Sequence, residues 1–419
     1  MANVIKSCKL PLSLFFLMGV FLEEPIHAQN KTKDVFKPTP GKSLGITRIN
    51  NFEILNAKPH SNPLSQSSTS GSYQYFSPTG LQVGPLKPGS PDGSSRRAPQ
   101  VTRARSFGDF GIPYSSVRVE LGPGTSSVGA NNKAYLSSTY PYRAIGKLVF
   151  KYPNGQASYC SASLIRKAVL VTAAHCVQNF GSGSTTFRDF KFVPGAYEST
   201  QPYGIWESEG YVVPSKWIDG TDNGTGGARD NDIAIFLIAK KGSRFIGQDT
   251  GWLTYAANNY SFVKSAKTGN FNTAELHTLG YPALSDQGKI MQVSSGPSTT
   301  LNYGSKSAKQ IRQGSNFTGG SSGGPWIANF GFKKPSFSGG ASAGNQSVGN
   351  VVVGVTSWGS ANPNSIKDNF SSQFAQNTLY PLSSYGQYGP GNIGSLINTA
   401  CSAKPSGSSS TYADLGYCD

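Results

Sequence analysis

Charge is scarce in this chain: charged residues fill 14% of its 419 positions, against about 25% in an average soluble protein. Acidic charge is scarcer still, with 21 Asp and Glu against 37 Lys and Arg, for a net +16. Helical bundles and coiled coils are excluded, because they need charged, glycine-poor repeats, and this chain has 50 glycines and 26 prolines. Long apolar runs are missing after Leu22, and nothing downstream approaches the ~20 residues that a helix needs to cross a bilayer. No cluster has metal-ligand spacing, so neither metal nor other cofactor is expected. The nearest group, Asp219, Asp222, Asp230 and Asp232, reads as solvated loop carboxylates. The basic charge is dispersed, with +8 of the +16 between Gln29 and Lys133. Without a basic stripe interleaved with aromatics, nucleic-acid binding is not expected; the charge instead biases encounters with acidic surfaces or substrates.

The start of the chain reads as an export signal. Lys6 and Lys9 precede an apolar run over 11–22, and Ile26-His27-Ala28 ends in a small residue, so residues 1–28 are expected to be removed after Ala28. The product is expected to be secreted or periplasmic, with no membrane attachment once the signal is gone. Cys8 leaves with the signal. Cys160, Cys176, Cys401 and Cys418 stay, and an even count in an exported protein points to two disulfides. Three pairings are open. The sequence-local one, 160–176 with 401–418, would close a first loop worth roughly 3 kcal/mol.

Residues 29–130 differ from the rest. The stretch 61–99 is rich in Ser, Gly and Pro without a period of 2 or 3.6, and 29–130 as a whole reads as a flexible, propeptide-like segment. Arg96-Arg97 and Arg103-Ala104-Arg105 offer cleavage points to a trypsin-like processing enzyme. The main domain is expected over 131–400, followed by a tail over 401–419. Short strand-like runs crowd it: 145–152, 157–165, 168–174, 190–193, 211–214, 233–239, 276–281, 290–293, 326–328 and 351–357. Turn residues between them argue for an all-β sandwich or barrel. One helix is expected, over 392–401, with Asn392 as its N-cap.

Three motifs carry chemistry. Thr172-Ala173-Ala174-His175-Cys176 follows a strand, Asp232-Ile233-Ala234-Ile235 opens one, and Gly320-Ser321-Ser322-Gly323-Gly324-Pro325 forms a glycine-rich loop. A serine hydroxyl is a poor nucleophile at neutral pH; it needs an imidazole to accept its proton and a carboxylate to orient that imidazole. The three motifs, in this order, resemble the chymotrypsin-fold serine peptidases over roughly residues 142–400. The resemblance implies two packed six-stranded antiparallel β-barrels with the active site between them and a short C-terminal helix. It implies His175 as base, Asp232 as orienter, Ser322 as nucleophile, and the N–H groups of Gly320 and Ser322 as oxyanion hole. It also pairs Cys160 with Cys176. Asp230 and Ser321 are the rival carboxylate and serine; His60 falls in the flexible segment and His277 inside a strand.

By the same resemblance, the base of the specificity pocket falls near Asn316, Phe317 and Thr318, and its wall at Thr356, Ser357, Trp358 and Gly359. Asn316 stands where tryptic members place an aspartate, and Thr356 where the glutamyl branch commonly carries a histidine, so both charge-reading devices are missing. Ser321 replaces the aspartate that pairs with a freed N-terminal ammonium in pancreatic members, and the loop looks closer to bacterial secreted ones, including the glutamyl-endopeptidase branch. The expected function is a secreted, monomeric serine endopeptidase acting on proteins or peptides; the alternative is a catalytically inactive relative that binds a partner through the old cleft.

Overall fold

Strand-forming runs separated by tight turns fold as antiparallel ladders, because each turn returns the chain beside the strand it has just left. The computed structural model describes residues 34–39, 49–61, 112–120, 135–224, 226–257, 263–264, 272–303, 308–331, 348–359, 367–377, 379–380 and 385–419. The expected export signal and the basic clusters at 96–105 lie outside the described residues.

The first barrel has six strands, β1 (Ile145–Lys151), β2 (Ala157–Leu164), β3 (Val169–Thr172), β4 (Arg188–Pro194), β5 (Trp206–Val212) and β6 (Ala234–Ile238). They pair antiparallel in the ring β1-β2-β3-β6-β5-β4 and back to β1. The next six are β7 (Asn272–Gly280), β8 (Gln292–Tyr303), β9 (Ala308–Gly314), β10 (Pro325–Ala328), β11 (Val351–Gly359) and β12 (Asp368–Gln373). They close in the same order, β7-β8-β9-β12-β11-β10 and back to β7. Both are six-stranded antiparallel barrels, and closure leaves neither ladder an open edge at its waist. Burial of β1, β3 and β6 is complete along their whole length; this suits the near-continuous apolar sequence of β3 and β6, whereas β1 also buries Lys147 and Lys151.

The helix α1 (Gly391–Ser402) ends the fold. Its N-cap is Pro390, not Asn392. Asn392, the second residue of the helix, is fully buried; its amide accepts from Ala375 N and donates to Asn231 and to the Gln373 carbonyl. A polar residue before an apolar run suggested a cap, but here it bolts the helix to neighbouring loops. Ile393, Leu396, Ile397 and Ala400 join the main core. The disulfide Cys401–Cys418 folds the tail back, and its Tyr417 and Asp419 carbonyls accept from Ala168 N and Lys167 N beside β3.

The described parts of the segment expected to be flexible are docked as strands and a short helix. Phe36–Pro38 adds to β5, Lys58–Pro59 runs parallel to β2, and Ser115–Arg118 adds to β8. Phe36, Ile49, Ile54 and Val119 are buried. The segment lacks a core of its own, but barrel strands longer than their partners offer it backbone hydrogen bonds.

Candidate active site

Register places two of the site residues. Thr172 at the end of β3 pairs with Ala234 at the start of β6. In an antiparallel pair, the residue three after Thr172 and the one two before Ala234 emerge at the same end; these are His175 and Asp232. His175 sits in a single 3-10 turn, Ala174–Cys176, and the disulfide Cys160–Cys176 ties that turn to β2. His175 Nδ1 lies 2.8 Å from Asp232 Oδ2, and its backbone N–H donates to Oδ1 at 2.9 Å. Both side chains are fully buried. Because the carboxylate accepts at Nδ1, the proton of the neutral ring sits there, leaving Nε2 as the basic nitrogen. Ser357 also donates to Asp232 Oδ2, at 2.5 Å.

The loop before β10 brings Ser322 to the same cleft. Its carbonyl accepts from Ser161 N at 2.8 Å, next to the disulfide that holds the histidine turn. Gly323, at φ +78°, lies so close to that turn that a Cβ would meet Thr172 Oγ1 at 2.0 Å and Ala173 N at 2.9 Å. Gly320, at φ +91°, would bring a Cβ to 2.6 Å from both Tyr159 and the Tyr281 carbonyl; only glycine fits there. The rival Ser321 turns away and donates to the Thr318 carbonyl. Asp230 is equally committed, accepting from Lys309 N and Asn223. His277 is in β7, with its ring against Phe330. Among the described residues, Nε2 of His175 has no hydrogen-bond partner, so the link to Ser322 is not closed.

Beside Ser322 is a cavity of about 280 Å³. Of the expected pocket residues, Phe317, Thr318, Thr356, Trp358 and Gly359 line it, and Asn316 and Ser357 do not. Thr356 has spent its hydroxyl on the Gly324 carbonyl and on Trp326 Nε1. Trp358 stacks flat on Phe370 at 3.9 Å and donates to Gln310. Among the described residues, no charged side chain lines the cavity. Sequence reading missed Asn369, which lines the cavity from β12 and donates its Nδ2 to the Phe317 carbonyl; β12 is polar enough to pass for a loop.

Sequence reading also missed His60. It is buried against the site, and its ring centroid lies 5.4 Å from that of His175. Cys160, His175 and Cys176 offer atoms within 4.8 Å of one another, but the two sulfurs are joined in the disulfide and provide no thiolate.

The family model for trypsin matches residues 143–377. Among curated proteins, the chain is 31% identical over 142 residues to an extracellular metalloprotease of Bacillus subtilis, covering 33% of this chain and 41% of that one. It is 27% identical over 165 residues to a glutamyl endopeptidase of Bacillus licheniformis, covering 37% of this chain and 50% of that one. The chain thus spans at most half the length of these two relatives. Among solved structures, a thermostable serine protease from an extremophilic microorganism matches at 24% identity and a TM-score of 0.42, over 56% of this chain and 92% of that one.

Proposed function

The chain belongs to the trypsin family, and from that premise we propose that it is an exported serine endopeptidase, made as a zymogen, that hydrolyses peptide bonds through an acyl-enzyme on Ser322. One observation carries the reading: the fully buried His175–Asp232 pair, joined at 2.8 and 2.9 Å beside the glycine loop that bears Ser322. In the proposed reaction Ser322 Oγ attacks the substrate carbonyl carbon while His175 Nε2 takes the hydroxyl proton. The carbonyl oxygen becomes an anion held by the N–H groups of Gly320 and Ser322, donors worth about 2.7–4 kcal/mol each. Asp232 keeps the Nδ1 proton in place and stabilises the imidazolium. That imidazolium returns its proton to the leaving amine, which departs with the C–N bond electrons. Water, deprotonated by Nε2, then attacks the ester and releases Ser322.

The described residues lining the cavity are uncharged, which favours uncharged side chains before the cleaved bond. Residues 1–28 serve as export signal, 29–130 as propeptide and 131–400 as the catalytic domain, closed by the tail at 401–419. The mature enzyme acts as a monomer outside the cytoplasm on proteins or peptides. Among the described residues no helix is long and apolar enough to cross a membrane. The test is a fluorophosphonate probe on processed protein, with the labelled residue found by mass spectrometry. Label on Ser322, lost in Ser322→Ala, is expected; no label, or label elsewhere, refutes the reading in favour of an inactive binding relative.

A further inference from the structure

We propose that residues 58–61 are an inhibitory plug, a segment of this chain whose His60 carbonyl occupies the oxyanion hole while its ring covers the catalytic base. The proposal rests on the peptidase reading above. Lys58 and Pro59 run parallel to β2, opposite Ser158 and Tyr159, and the His60 N–H extends the ladder to the Tyr159 carbonyl at 2.8 Å. The His60 carbonyl then accepts from Gly320 N at 2.6 Å. That N–H is one of the two assigned to the substrate oxygen, so plug and substrate exclude each other there.

The His60 ring closes the other half of the site. Its Nε2 is 2.9 Å from the His175 carbonyl and its Nδ1 2.5 Å from the Tyr152 hydroxyl. A carbonyl only accepts, so Nε2 carries the proton, and neutral Nδ1 accepts from the tyrosine. Phe150 and Phe187 flank the ring edge-on, each at 5.5 Å. With His60 in place, His175 has no exposed surface.

The plug lies in the site without presenting itself as substrate. In an extended chain, neighbours point to opposite sides. Pro59 and Ser61 line the specificity cavity, while His60 points away from it toward His175. The side chain of His60 itself does not line the cavity beside its own carbonyl, and Nε2 of His175 is unpartnered among the described residues. A docking element precedes the plug. Asn50 and Glu53 cap the short helix Asn51–Asn56 reciprocally, Ile54 is buried, and Glu53 pairs with Lys151 of β1 at 2.8 Å.

The geometry also supplies a cross-link. A Cβ on Gly319 would lie 3.3 Å from the Ser61 Cβ, near the ~3.5–4.5 Å span of a disulfide. In the full, unprocessed chain carrying Ser61→Cys with Gly319→Cys, peptide mapping should find the two introduced thiols joined. In the unprocessed wild-type chain, fluorophosphonate should label Ser322 at least about tenfold more slowly than in processed enzyme, as expected when only a small fraction is open. His60→Ala in the unprocessed chain should recover most of that rate with circular dichroism unchanged. Introduced thiols left free in a folded chain, or an unprocessed wild type that labels as fast as the processed enzyme, would overturn the plug. Processed enzyme that takes no label at Ser322 overturns the peptidase reading and inhibition with it, while the cross-link reports docking independently.

Discussion

Asp232 is held on two sides, by His175 at 2.8 Å and by the Ser357 hydroxyl at 2.5 Å. Both donors hold its oxygen Oδ2, and the His175 N–H holds Oδ1. Triad members act as a unit, so Ser322→Ala and His175→Ala should each remove nearly all turnover of processed enzyme while leaving the fold intact. Asp232→Asn should lower turnover by about 10⁴. More than a hundredth of wild-type turnover in Ser322→Ala would refute the nucleophile assignment. Ser357→Ala removes one charge-assisted hydrogen bond, worth about 1.5–3 kcal/mol, and should lower kcat about tenfold with KM little changed. A rise in KM with kcat intact would instead return Ser357 to the pocket wall, where the sequence had placed it. The three motif residues stood out in the sequence because the proposed chemistry leaves few substitutes for them. The destination of the Ser357 hydroxyl was not, since it depends on where β11 crosses the first barrel.

At the scale of elements, the segment around His60 should respond to acid. Burial, then the neighbouring His175, pushes the His60 imidazole down to about 3, whereas a free one titrates near ~6.5. The docked segment therefore binds fewer protons than the undocked one. Docking is at full strength above about pH 6.5 and weakens by up to about tenfold per unit as pH falls toward ~3. His175 and the Tyr152 hydroxyl face the ring. Glu53, on the same segment, is held low by the hydrogen bond from Lys151 and then by Asn50, so its contribution is lost only below the ordinary carboxylate range. Hydrogen exchange at the His60 amide, corrected for intrinsic rate, should lose protection between pH 6.5 and 4.5, and His60→Gln should flatten that slope. Flat protection in wild type over this window would count against a neutral, buried His60. Ten of the twelve barrel strands were legible as apolar runs between turns. β9 and β12 were not, because β9 buries Gln310 and Gln313 and β12 buries Asn369, Ser371 and Ser372. Gln313 is satisfied by Thr278 and the Leu276 carbonyl of β7, and Gln310 by the Arg229 carbonyl in the loop before β6, partners that only the tertiary structure provides.

At the scale of the molecule, activation should need removal of the N-terminal segment but no ion pair from the new terminus. Ser321 bonds to the Thr318 carbonyl, and Asp230 already serves Lys309 N and Asn223. Extending the mature N-terminus by one residue, or acetylating it, should leave hydrolysis of a small peptide nearly unchanged. Abolished activity in a folded, extended enzyme would show that an inserted ammonium is at work. The sequence by itself determined the all-β class, the two-barrel resemblance, the His-Asp-Ser order and four cysteines beyond residue 28, because strand periodicity, turn residues and nucleophile chemistry are local properties of a chain. It left three disulfide pairings open until the resemblance chose one, and the structure joins Cys160 to Cys176 and Cys401 to Cys418. Only the tertiary structure decided that His60, 115 residues before His175, packs against that histidine, the proposed base. Only it gave both barrels one strand order without a sequence repeat. Strand order and docking depend on which edges lie free after closure, and a free edge is a property of the assembled barrel that no stretch of residues carries alone.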